Sequence, residues 1–76
     1  MAKPQEIRIV AEMAANVLSI DVAAGDVVAI GDTVILLESM KMEIPVIAEH
    51  AGTVGGIFVT PGDVVQEGDV LLSITT

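Results

Sequence analysis

Residues 6–37 and 43–74 are two copies of one segment, aligned at a shift of 37 positions without a gap. Fourteen of the 32 aligned pairs are identical, from Glu6/Glu43 and Ile7/Ile44 through Val17/Val54 and Gly25/Gly62 to Gly31/Gly68 and Asp32/Asp69. Two copies are too few for a solenoid array, whose repeats need several neighbours to bury their faces. They are the number needed for one closed domain with an internal twofold axis. Residues 1–5 are then a polar lead-in, residues 6–76 a single domain, and residues 38–42 the joint between the copies.

Each copy offers the same short elements. The first is 7–11, matched by 44–48. The second is 17–22, matched by 54–59, where Leu18, Ile20 and Val22 alternate with Ser19 and Asp21 at the strand period. Next, Gly25-Asp26-Val27-Val28-Ala29-Ile30-Gly31-Asp32 and Gly62-Asp63-Val64-Val65-Gln66-Glu67-Gly68-Asp69 each fence a two-residue β-branched strand between Gly-Asp turns. The fourth is 33–37, matched by 70–74. Strands this short and this regularly spaced predict an all-β sandwich or flattened barrel.

The stretch Leu36-Leu37-Glu38-Ser39-Met40-Lys41-Met42-Glu43 is built of good helix formers. The repeat argues against a helix, because Leu37 ends a strand as Ile74 does and Ile44 starts one as Ile7 does. Pro45 also disfavours helix through residue 44. A five-residue hairpin joint is the expectation, although Met-Lys lacks the Asn-Gly chemistry of an easy tight turn. The twofold that exchanges the copies pairs this joint with the chain ends. It therefore predicts Lys41 at one pole and both ends at the other, where the lysine is free to enter another protein's active site.

At 76 residues the chain buries only about 60% of its unfolded surface, and without cysteine it has neither staple nor thiolate nucleophile. Eleven acidic residues against three basic ones give a net charge of −8, which argues against nucleic acid and anionic membranes as partners. No apolar run reaches a membrane span, and no basic-then-apolar leader stands at the N-terminus. Together with the missing cysteines this fits the cytoplasm. The opening residues suit a free-standing subunit and equally an excised domain.

With the repeat, Glu38-Ser39-Met40-Lys41-Met42 resembles the biotin-attachment motif of biotinyl (biotin carboxyl carrier) domains, most often Glu-Ala-Met-Lys-Met. The duplicated Gly-Asp-Val-Val…Gly-Asp turns and the segment Ala51-Gly52-Thr53-Val54 are also similar to that family, and the likeness covers residues 6–75. Overall the chain is similar to the short free-standing biotinylated proteins of actinobacteria. The resemblance implies a flattened barrel-sandwich hybrid of two four-stranded antiparallel sheets with quasi-twofold symmetry. The gap-free repeat leaves no room for the thumb that some members insert between early strands. It further implies biotin, attached covalently to Lys41 by a biotin protein ligase, with Met40, Met42 and Glu38 as recognition residues. Ser39 in place of alanine keeps the position small. The implied partners are that ligase and the biotin carboxylase and carboxyltransferase subunits between which the carrier moves CO2.

A lysine amine attacks an acyl-adenylate only when deprotonated, and its ordinary pKa is about 10.4. No residue of the motif would supply a base, so the chain is a substrate of the ligase and not itself an enzyme. Three readings compete with biotin: a plain solvated lysine, a lipoyl-type swinging arm, and an unmodified module for protein–protein contact. Met on both sides of the lysine favours biotin over lipoate, whose domains carry Asp or Val before the lysine and Ala after it. Glu43 is read as a turn charge or a ligase contact. His50, paired by the repeat with Met13, lacks companions for a metal site. Phe58, paired with Asp21, faces outward and is expected to be shielded by a loop. The Gly-Asp aspartates read as turn residues and not as cation ligands.

Overall fold

The computed structural model describes residues 5–76. The expected lead-in lies outside these residues except for Gln5. Eight strands follow one another: β1 Glu6–Val10, β2 Ala15–Ile20, β3 Val27–Val28, β4 Thr33–Ser39, β5 Met42–Ile47, β6 Gly52–Ile57, β7 Val64–Val65 and β8 Val70–Thr75. They form two four-stranded antiparallel sheets, ordered β1-β8-β6-β3 and β5-β4-β2-β7. Exchanging β1 with β5, β2 with β6, β3 with β7 and β4 with β8 turns one order into the other, so the sheets obey the twofold predicted from the repeat. The connections β2–β3 and β6–β7 have equal length, and neither holds an insertion.

The core repeats that symmetry. Ala11/Ala48, Val17/Val54, Val28/Val65, Val34/Leu71, Ile35/Leu72 and Leu37/Ile74 are six twofold pairs, and both members of each are buried. Ala15 and Val59 complete the buried apolar set, and Ser73 is buried beside them on β8. Ala15 has Gly52 as its partner, where a side chain does not fit: a Cβ would lie 2.6 Å from Ile74 Cγ2 and 2.6 Å from the Thr75 carbonyl.

The Gly-Asp turns lock the copies together. Each glycine has positive φ, between 92° and 95°, and each aspartate Oδ2 accepts from the backbone N–H three residues earlier. Gly25 N–H donates to Val54 and Asp26 C=O accepts from it, while Gly62 and Asp63 bond Val17 in the same way. Gly31 and Asp32 hold Ala48, and Gly68 and Asp69 hold Ala11. All four turns thus bond the opposite copy, so neither copy closes its backbone hydrogen bonds alone. The aspartates work in their own turns, as the sequence reading expected.

Two local expectations are corrected. The second strand of each copy begins two residues earlier than its alternation suggested, because Ala15 and Asn16 pair with β7 and Gly52 and Thr53 with β3, and a bulge then follows Val17 in β2 and Val54 in β6. Leu18 is the extra residue in β2, so it turns outward while Val17 faces the core. Phe58 is not shielded by a loop and is 60% exposed. Its ring lies over Gly56, where a Cβ would meet the ring carbon Cζ at 3.2 Å.

Candidate functional site

The joint between the copies is a hairpin of two residues, shorter than the expected five, because Glu38, Ser39 and Met42 belong to the strands. Ser39 pairs with Met42, and only Met40 and Lys41 remain in the loop. Their φ values are 53° and 65°, the two left-handed central residues of a type I′ turn. That turn matches the right-handed twist of the strands but asks residues with a Cβ to adopt a conformation costing about 1–2 kcal/mol each. Helix propensity is overridden here by the register of β4 and β5, set over six residue pairs from Thr33↔Ile47 to Ser39↔Met42.

The turn displays its side chains. Met40 is 91% exposed, Met42 66%, and Lys41 is also exposed. One ion pair, Arg8 with Glu6, is present among the described residues, and Lys41 takes no part in it. Behind the turn Glu38 faces Glu43 across the ladder, Glu38 half-buried and Glu43 exposed. Lys41, Met40, Met42 and Glu38 are therefore gathered at one hairpin, with a single positive charge at its tip and two carboxylates at its neck.

The strand paths place this hairpin at an end of the molecule. Glu38 lies beside Asn16 near the start of β2, which β1 approaches from Glu6. Glu6 pairs with Thr75, and Gln5 C=O accepts from Thr76 N–H at 2.9 Å. The molecule measures 45 by 19 by 17 Å, and these pairings set the hairpin and residues 5 and 76 at opposite ends. His50 and Met13 lie in equivalent four-residue connections, both exposed. The sequence reading missed a pair of clefts that draw residues from both copies, since nothing in the linear order of 10–13 and 44–50 announces their meeting.

A family model described as "biotin-requiring enzyme" matches residues 1–74, and the chain belongs to that biotin/lipoyl attachment family. Among solved structures it is similar to a single-chain, multi-domain long-chain acyl-CoA carboxylase. That match has 33% identity and a TM-score of 0.89, over 99% of this chain and 8% of the other. It is similar to the urea carboxylase of Kluyveromyces lactis, at 34% identity and a TM-score of 0.87, over 92% of this chain and 6% of that one. It is also similar to the lipoyl domain of the 2-oxoglutarate dehydrogenase complex from Azotobacter vinelandii, at 25% identity and a TM-score of 0.80, over 92% and 96% of the two chains. The chain thus spans less than a tenth of the two carboxylases it matches. No curated protein matches it.

Proposed function

We propose that the chain is a biotin carboxyl carrier module of a cytoplasmic biotin-dependent carboxylase, without catalysis of its own. A biotin protein ligase joins biotin through an amide to Lys41 Nζ, and the carrier moves CO2 between a biotin carboxylase and a carboxyltransferase. The observation that carries this reading is the Met-Lys-Met tip: an exposed lysine outside any described ion pair, raised on a two-residue turn between two exposed methionines. The likeness to two carboxylases supports it. These residues fit a covalent arm, because the amine is accessible and forming the amide breaks no bond that the fold uses. When bound, biotin supplies a ring nitrogen that takes up CO2.

The chain's own contribution is presentation. Met40 and Met42 offer adaptable apolar contact to the enzymes it visits. The twin-stranded support fixes the root of the arm, and the tether raises the effective concentration of its cargo at each active site.

The lipoyl domain match makes lipoate the second reading. Incubating the purified chain with a biotin ligase and a lipoate ligase, each with ATP and its acid, separates the two. Biotin on Lys41 alone supports the proposal, and lipoylation alone reverses it.

A further inference from the structure

Two clefts lie along the flank where the edge strands β1 and β5 meet, and the twofold exchanges them. The first is lined by Ile7, Arg8, Ile9, Val10, Glu12, Ile47, Glu49, His50 and Ile74. Shifting each of those residues by 37 positions produces the full lining of the second, in which Pro45 replaces Arg8 and Met13 replaces His50. The repeat is thus an internal control. One site was built twice, and only one version is apolar at these two positions. The apolar version holds about 180 Å³ and gathers three large exposed hydrophobic residues, Val10, Met13 and Ile47, above a floor containing Leu37.

The apolar cleft is also the one on the lysine side, since Leu37 and Ile44 form the second residue pair behind Ser39 and Met42. At about 3.4 Å per strand residue, Ile44 lies about 10 Å and Pro45 about 14 Å along β5 from Lys41. A lysine stem carrying the biotin side chain spans roughly 12–15 Å at about 1.5 Å per bond. The twin cleft extends toward Ile7 and Ile74 on the other side, and the two share Val10, Glu12, Ile47 and Glu49 between them.

We propose that this cleft is a resting site for the ring carried by Lys41. The inference rests on the biotin reading above. The sulfur-containing ring packs on Met13, Ile44 and Pro45, and the two ureido N–H groups find acceptors in the carboxylates of Glu12 and Glu49 at the cleft margin. A lipoyl ring has no such donors. The same two carboxylates make the site selective for the unloaded ring. A carboxyl group on the ring nitrogen brings a third negative charge against them and removes one of the donors, so a loaded arm is driven out toward the next active site.

The test compares unmodified and biotinylated chain by methyl NMR with labelled methionine and isoleucine, after intact mass has established the modification. The proposal expects shifts at Met13 and Ile44, nuclear Overhauser contacts from the ring to the Met13 methyl, and an unchanged His50 ring. Loading the arm with a biotin carboxylase, ATP and bicarbonate should return Met13 toward its unmodified position. Met13→Asp, at an exposed position of this cleft alone, should abolish the ring shift at Ile44. It should also speed capture by streptavidin about two- to fivefold, as expected if half to four-fifths of the rings are parked. A biotinylated chain whose shifts stop at Met40 and Met42, with unchanged capture, overturns the resting site and leaves the carrier reading standing. A chain that the ligase never modifies overturns both.

Discussion

Glu38 and Glu43 stand opposite each other on the β4–β5 ladder, the second residue pair behind the Met40–Lys41 turn. Their twofold counterparts are Thr75 and Glu6, so the other pole places one charge where this one places two. Like charges directly across a ladder are destabilising, by roughly 0.2–1 kcal/mol. Glu43→Thr, which restores the Glu–Thr combination of the far pole, is expected to raise stability by that amount. Urea unfolding of both chains measures it as an increase in midpoint at constant slope.

The turn itself carries a second cost. Met40 and Lys41 both have positive φ, and asparagine tolerates that region better than methionine. Met40→Asn is expected to stabilise the fold by up to about 1 kcal/mol, a rise of roughly 4–8 °C in Tm for a domain this small. On the proposed function the same change slows acylation by the ligase, since it removes an exposed apolar contact. Thermal unfolding and a ligase time course on one preparation read out both effects.

Gly52 marks a place where symmetry yields to packing. Its partner Ala15 is buried, yet a Cβ at 52 would press on Ile74 Cγ2 and on the Thr75 backbone. Gly52→Ala is expected to cost about 1–3 kcal/mol, the usual range for overpacking. Ala15→Gly is expected to cost less, because it removes one methyl and leaves room to settle. Denaturant midpoints for the two variants test the asymmetry.

The aspartates offer the opposite case. Asp26 Oδ2 accepts from Ala23 N–H and Asp63 Oδ2 from Thr60 N–H, both at 2.9 Å. Asp26→Ala and Asp63→Ala each remove one such bond, worth about 1 kcal/mol. The two losses are expected to agree within about 0.5 kcal/mol and to add in the double variant. Unequal or non-additive losses in a urea series would show that the copies are not mechanically equivalent.

Much of this architecture was legible in the sequence because identity between the copies reports shared structure directly. Val17/Val54 and Leu37/Ile74 lie in the core as pairs, and Lys41 lies at the pole that the twofold assigns to it. Alternation failed where a bulge adds a residue: Leu18 reads as one face of a strand, and the extra residue in β2 turns it out. Phe58 was misread because Asp21 cannot tell what an aromatic ring does in its place, and the ring spreads over the bare backbone of Gly56. At the site, the motif singled out Lys41, Met40, Met42 and Glu38. The two-residue turn required the ladder register, and the cleft required knowing that Met13 and Ile44 approach from different copies.

The central claim is that Lys41 is the attachment point of a biotin arm. Its most direct test is the intact mass of the chain co-expressed with a biotin protein ligase in biotin-replete medium, beside Lys41→Arg. The account predicts one biotinoyl addition on the first and none on the second, with both chains folded. An unmodified mass for the native sequence, or an addition that persists in Lys41→Arg, would contradict it.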